Sequence, residues 1–142
     1  MSFSLEHFLK SHRQRIIDEW VKRLHCEVSK RYSERPVEEL RETVTQAFEA
    51  NCAFLLKEDL TPINSFIKKI TKMRLEAGFA LSDVQKAFEL FRKVTIPLMG
   101  TKADPKSFQD NIVKINDCLA YTIHQFSDWF QAMHERSIMQ YS

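Results

Sequence analysis

Chemistry in this chain has to come from five histidines, three cysteines and a few arginines, so their spacing is the first test. Two imidazoles on one helix face meet a single ion when they stand four residues apart. His7 and His12 are five apart, His124 and His134 are ten apart, and His25 adjoins Cys26, so that pair diverges. Cys26, Cys52 and Cys118 are odd in number, far apart and without Cys-x-x-Cys spacing, and they read as buried free thiols of a reducing compartment. No metal site is expected. Haem requires one axial imidazole in an apolar pocket. His124, flanked along its helix by Cys118, Tyr121 and Phe126, is the residue best placed to supply it. Eleven phenylalanines support the alternative, in which side chains fill the space a cofactor would take, and no cofactor is expected.

Covalent catalysis fares no better. An activated serine or cysteine needs a neighbouring base and commonly a sharp glycine turn, and phosphate cradles need several glycines. The chain has only Gly78 and Gly100, no Gly-x-Ser-x-Gly, no kinase signature and no isolated inward pair of carboxylates. No catalytic residue is assigned and the chain is not expected to be an enzyme. Two arginines remain. Arg74 adjoins the apolar face of its helix and Arg92 adjoins Phe91 on the next one. Each reads either as a solvated charge or as a group reaching an anionic ligand or buried carboxylate across the junction Glu76 to Ser82. Arg74, Gly78 and Arg92 are therefore the candidate ligand-pocket residues.

The elements that must position these groups are helices. With so few glycines and no Asn-Gly or Asp-Gly pair, tight hairpins have no source, so the elements are few and long. Apolar residues make up 44% of 142 residues, enough for one core, and residues 1–142 read as a single all-α domain of five helices with long first and last members. The first helix spans Ser4 to Arg31, with Ile16, Ile17, Trp20, Val21 and Leu24 recurring at threes and fours. The second begins at Pro36 and ends near Lys57. The third starts with Thr61 as cap and Pro62 as first residue, and ends at Gly78 in a left-handed cap. Ser82-Asp-Val-Gln85 reads as a capping box opening the fourth, which Pro97 should kink or end. Asp104-Pro105 opens the fifth, which runs to about Met139. Its face Phe108, Ile112, Ile115, Leu119, Phe126, Phe130 and Met133 is widened by a second row, Cys118, Tyr121, Ile123 and Trp129. So broad a stripe is expected to face two surfaces, the domain's own core and a partner.

Charge excludes some partners. Twenty-one basic residues are interleaved with nineteen acidic ones, and the one short basic cluster, Lys68, Lys69, Lys72 and Arg74, falls short of a nucleic-acid stripe. The opening Met1-Ser-Phe-Ser-Leu-Glu-His carries charge where a signal peptide needs an apolar run, and no uncharged stretch is long enough to span a bilayer. A cytoplasmic domain without membrane insertion is expected.

The stretch Met73-Arg-Leu-Glu-Ala-Gly-Phe-Ala-Leu-Ser-Asp-Val-Gln-Lys-Ala-Phe-Glu-Leu-Phe-Arg92 resembles the N-terminal domain of RsbR-type co-antagonists. That domain type also stands in front of histidine kinases and other bacterial signalling outputs. Ile16-Ile-Asp-Glu-Trp20 and the long last helix share the likeness, which covers most of the chain. The resemblance implies a non-haem, globin-like bundle that forms a homodimer and passes a signal through its C-terminal helix to a kinase, a STAS-type output domain or a partner protein. If a longer protein contains this chain, the output would follow Ser142; otherwise the relay acts through a separate partner. The interface is expected on the first helix and the wide stripe of the last, at Trp20, Tyr121, Trp129 and Phe130. Two other readings stand beside this one: a haem or small-ligand sensor using His124, and a plain adaptor that binds another protein's helix.

Overall fold

Ser4 opens the first helix: its hydroxyl accepts the His7 N–H at 3.2 Å, one of the donors every helix start leaves unpaired. A computed structural model describes the backbone of residues 3–141 and the side chains of residues 3–139, and within them the chain is all-α, with no strand. The elements are α1 (Leu5–Ser11), α2 (Arg13–Arg23), a π-helical turn (Leu24–Val28), α3 (Lys30–Ser33), α4 (Val37–Lys57), α5 (Thr61–Glu76), α6 (Leu81–Gly100) and α7 (Pro105–Tyr141). Four of these match the expected second to fifth helices. The expected first helix is instead three α-helices and a π turn.

That division has local causes. At His12 the backbone leaves helical geometry (φ −108°, ψ 13°), although the Ile16 N–H still reaches its carbonyl at 2.9 Å, so α1 and α2 bend rather than part. After the wide π turn, Ser29 is fully extended and its side chain accepts the Tyr32 N–H, capping α3. Ser33 Oγ then donates to the His25 carbonyl at 2.7 Å and the Ser29 carbonyl at 3.1 Å, pairing acceptors that the break exposes. A serine at each side of Lys30–Tyr32 thus ends one helix and starts another.

Several caps differ from the sequence expectation. Pro36 precedes α4 as an extended N-cap rather than lying inside it. Thr61 is the first residue of α5 rather than its cap: Leu60 stands at the cap position, and the Asp59 carboxylate before it accepts the Thr61 N–H at 3.0 Å. The capping box at Ser82 does not form: α6 starts one residue earlier, behind Ala80, and the Gln85 amide donates to Ser127 Oγ on α7 at 2.9 Å. A tertiary partner has taken the group a local cap would use. Pro97 does not end α6, which continues to Gly100. Asp104 caps α7 as expected, accepting the Ser107 N–H and hydroxyl, both at 2.9 Å, and these bonds hold its carboxyl below the usual range.

α7 lies along both α5 and α6, α4 packs on α2 and α5, and α2 reaches α6. Trp20, Phe48, Phe66, Phe88, Phe91 and Phe126 link these helices through ring contacts, with Phe88 to Phe126 at 5.4 Å and Trp20 to Phe91 at 5.5 Å. The Trp20 indole N–H donates to the Ala87 carbonyl at 3.0 Å, so burial leaves no unpaired donor there. Because α4 also touches α7, through Asn51 and Phe54, α7 has three helical neighbours within the chain, and its broad apolar stripe is largely covered without a second molecule. Among the described residues no helix is long and apolar enough to cross a membrane.

Candidate functional site

The end of α5 builds the most unusual environment in the domain. Ile63, Phe66, Ile67, Ile70, Thr71 and Arg74 form its buried face, and Arg74 is only 1% exposed. Gly78, at φ +79°, follows as the left-handed residue that glycine adopts without a steric penalty. The Gly78 N–H reaches the Leu75 carbonyl at 3.0 Å and the Phe79 N–H the Arg74 carbonyl at 2.9 Å, the paired bonds of a Schellman ending. That motif folds the second residue past the helix back onto its last turn. Here it carries Phe79 onto the Arg74 guanidinium, 4.9 Å from the ring centroid. Tyr32, delivered by α3, sits 5.2 Å from the same guanidinium and 4.7 Å from Phe79, edge to face. Two aromatic rings thus contact one buried cation.

Charge neutralisation of Arg74 is partial. The nearest acid, Glu39 of α4, lies 3.7 Å from Arg74 Nη1, an ion pair longer than a hydrogen bond. Glu39 is already held by Arg35, at 2.8 and 2.9 Å from Nη2 and 3.2 Å from Nε. Arg74 Nε is buried and has no acceptor. A buried donor without a partner costs about 1–3 kcal/mol, more for a charged group, so such an atom calls for an explanation. Burial pushes the Tyr32 hydroxyl up to about 12, outweighing the opposite pull of Arg74. Arg31 closes the outside of the turn: its Nη1 donates to the Ala77 carbonyl at 3.1 Å, and a methyl on Gly78 would meet that nitrogen at 3.2 Å.

Arg74 also lines an apolar cavity of about 30 Å³ at the centre of the bundle, walled by Trp20, Tyr32, Phe66, Ile70, Val84 and Phe88 among others. The three pocket candidates therefore separate. Arg74 is in the wall, Gly78 shapes the turn beside it, and Arg92 is elsewhere, half-buried, with its guanidinium 3.3 Å from Asn116 Oδ1 on α7. Arg92 does not join the site. Side chains do not point the same way merely because their helices form a hairpin.

The remaining candidates fall as follows. His124 is on the solvent side of α7, with its side chain 75% exposed and Nε2 3.5 Å from Asp128, so it lacks the apolar surroundings an axial ligand needs and takes no part in the central cavity. Trp20 is buried in the core, which corrects its place in an intermolecular interface, and Phe130 is only 8% exposed. Tyr121 and Trp129 are half-buried along α5: the Tyr121 hydroxyl donates to Asn64 at 2.7 Å, and Lys68 stands 5.1 Å over the Trp129 ring. Of the cysteines, Cys118 is buried and gives its thiol hydrogen to Asn51 at 3.2 Å, Cys52 is half-buried, and Cys26 is exposed, against expectation. Cys26 follows the buried Leu24 by two residues, which on a helix turns it to the opposite side.

Tyr32, Arg35, Glu39 and Phe79 escaped the sequence reading, although one signal was present. Arg74 follows Ile67 by seven residues and Ile70 by four, the period of the buried face itself.

The family model for the RsbT co-antagonist protein rsbRD N-terminal domain matches residues 14–134. The chain belongs to this family. Its members are N-terminal input domains of stress-response signalling proteins, and the match spans α2 to most of α7, so every residue around Arg74 lies in the rsbRD N-terminal domain proper. No curated protein and no solved structure matches the chain.

Proposed function

We propose that this rsbRD N-terminal domain is a non-catalytic input module that homodimerises and relays a signal along α7 to an output such as a kinase or a STAS-type domain, in partner switching with an RsbT-like protein. The bundle is read as globin-like and non-haem. The observation that carries the reading is the reach of α7. Among the described side chains the last buried one on it is Phe130, and the helix continues to Tyr141, about three further turns or ~16 Å, with residues 131, 132 and 134–139 exposed. A helix anchored between α5 and α6 and then leaving the body transmits any shift of its anchored half along its length. Such a shift follows a signal only if the signal binds the two arrangements with different affinity.

The interface is placed on the outer side of α7, with Trp129 at its edge and without Trp20, which the core consumes. Sedimentation over a concentration series tests this. Wild type should associate to a dimer, and Trp129→Glu should stay monomeric with its helical circular dichroism retained. A wild type that is monomeric at every concentration, or a Trp129→Glu chain as dimeric as wild type, would overturn the arrangement. No observation favours the haem reading, since the imidazole it needs faces solvent.

A further inference from the structure

We propose that Arg74 and the cavity it lines form a binding site for the smallest carboxylate, formate. Three observations converge on it. The first is the unused donor: Arg74 is 1% exposed and its buried Nε–H meets no acceptor. Together with a neighbouring Nη–H, that nitrogen presents the two-donor edge that matches the paired oxygens of a carboxylate.

The second is charge. Arg31, Arg35 and Arg74 gather at this corner, Arg31 against Gly78 and Arg35 on the same Glu39 that faces Arg74. The acids there are Glu39 and Asp83, whose charge is felt at Tyr32. Arg31 is exposed to water, whereas Arg74 is buried and the acid it faces, Glu39, is already held by Arg35, so the Arg74 charge is incompletely balanced, which is costly in a buried place. A monoanion balances it; a phosphate would bring excess charge and more polar oxygens than the site can pair.

The third is the shape and chemistry of the space. A water needs about 10–15 Å³ of such volume, so about 30 Å³ takes two or three water-sized groups. Most of the wall is apolar, including Trp20, Phe66, Ile70, Val84 and Phe88, with Tyr32, Thr43 and Arg74 as its polar members. Formate, with three heavy atoms, fits that space, its two oxygens on Arg74 and its C–H against the apolar wall. The Tyr32 and Phe79 rings remain on the guanidinium and hold its plane.

Binding does not depend on the relay reading; only the ligand's use as the signal rests on it. A chain that binds formate yet never dimerises would remove the relay and leave the site, and the reverse result would remove the site alone. The test titrates the full chain with sodium formate against sodium chloride at matched ionic strength. Thermal unfolding and the NMR resonance of the Arg74 Nε–H are followed. Saturable movement of that resonance is expected, with a rise in Tm of roughly 5–10 °C at a hundredfold excess over Kd. Arg74→Lys, which keeps the charge without the two-donor edge, and Val84→Phe, which fills the cavity and keeps Arg74, should each abolish the response. The titration of the unmodified chain decides the matter even where a variant fails to fold. An unmoved Nε–H, an equal effect of chloride, or a response that survives Val84→Phe would overturn the proposal.

Discussion

At the end of α4 the chain turns through Glu58 at φ +52°, and at the end of α5 it turns through Gly78 at φ +79°. Both residues are left-handed, and both turns bond back onto the helix they end, the first by Glu58 to Phe54 and Asp59 to Ala53. Their surroundings differ. Glu58, Asp59, Leu60 and Thr61 are all exposed, so the first turn only reverses direction. The second folds Phe79 onto a buried arginine that Tyr32 and Glu39 approach from two other helices. The same backbone device becomes a site where the last turn of the helix carries a charge on its buried face. The comparison also separates two costs: a glutamate in a left-handed conformation bears steric strain but faces solvent, whereas Gly78 is unstrained and a methyl there would press on Arg31 at 3.2 Å.

Removing the charge should show the contrast most strongly. Arg74→Ala leaves a large void between two rings and is expected to cost about 3 kcal/mol in urea unfolding. Arg74→Met, similar in reach and apolar, should cost about 1 kcal/mol or less, since Glu39 keeps Arg35 and no acid is stranded. Equal losses in the two variants would mean that charge rather than volume holds this corner. Next comes the turn. Gly78→Ala should cost about 1–2 kcal/mol from the left-handed backbone and the Arg31 contact, read as a lower urea midpoint with unchanged slope.

The pH dependence bears on the same corner. Tyr32 holds its proton to about 12 when folded and to 10.0 in an ordinary setting. The folded state therefore binds more protons between these values, so the stability Tyr32 contributes is full below pH 10 and falls as pH rises to 12. Cys52 and Cys118, which burial pushes from 9.0 to about 12, add a loss of the same sign that starts at pH 9. In Tyr32→Phe the loss from pH 9 should persist while the slope between pH 10 and 12 flattens; an unchanged slope would place the tyrosine in water. The smallest effect belongs to the exposed turn. Glu58→Gly should gain about 0.5 kcal/mol, the relief of strain offset by greater freedom of the unfolded chain, measured as a small upward shift of the urea midpoint.

Much of the scaffold was legible in the residues. Scarce glycine, the three-and-four spacing of the large apolar residues, Asp104-Pro105 and Gly78 give the four long helices to within a few residues, because those signals act through local backbone chemistry. Ser29 was a cap of the same local kind, yet it was hidden inside an uninterrupted apolar period. The capping box at Ser82 went the other way: its local chemistry was sound, but Ser127 on a distant helix offered Gln85 a partner. The broad stripe of α7 is real, and its meaning changes because α4, α5 and α6 of the same chain cover it.

The amino-acid sequence by itself determined the all-α class, the long final helix, the absence of a catalytic motif and the turn at Gly78, since periodicity, propensity and capping act over a few residues. Only the tertiary structure decided that Arg74 is buried and Arg92 is not, that Glu39 is shared between two guanidiniums, and that His124 faces solvent. The environment of a charge depends on which faces of which helices meet, and residues 32, 39, 74 and 79 meet through packing that no short window of sequence contains.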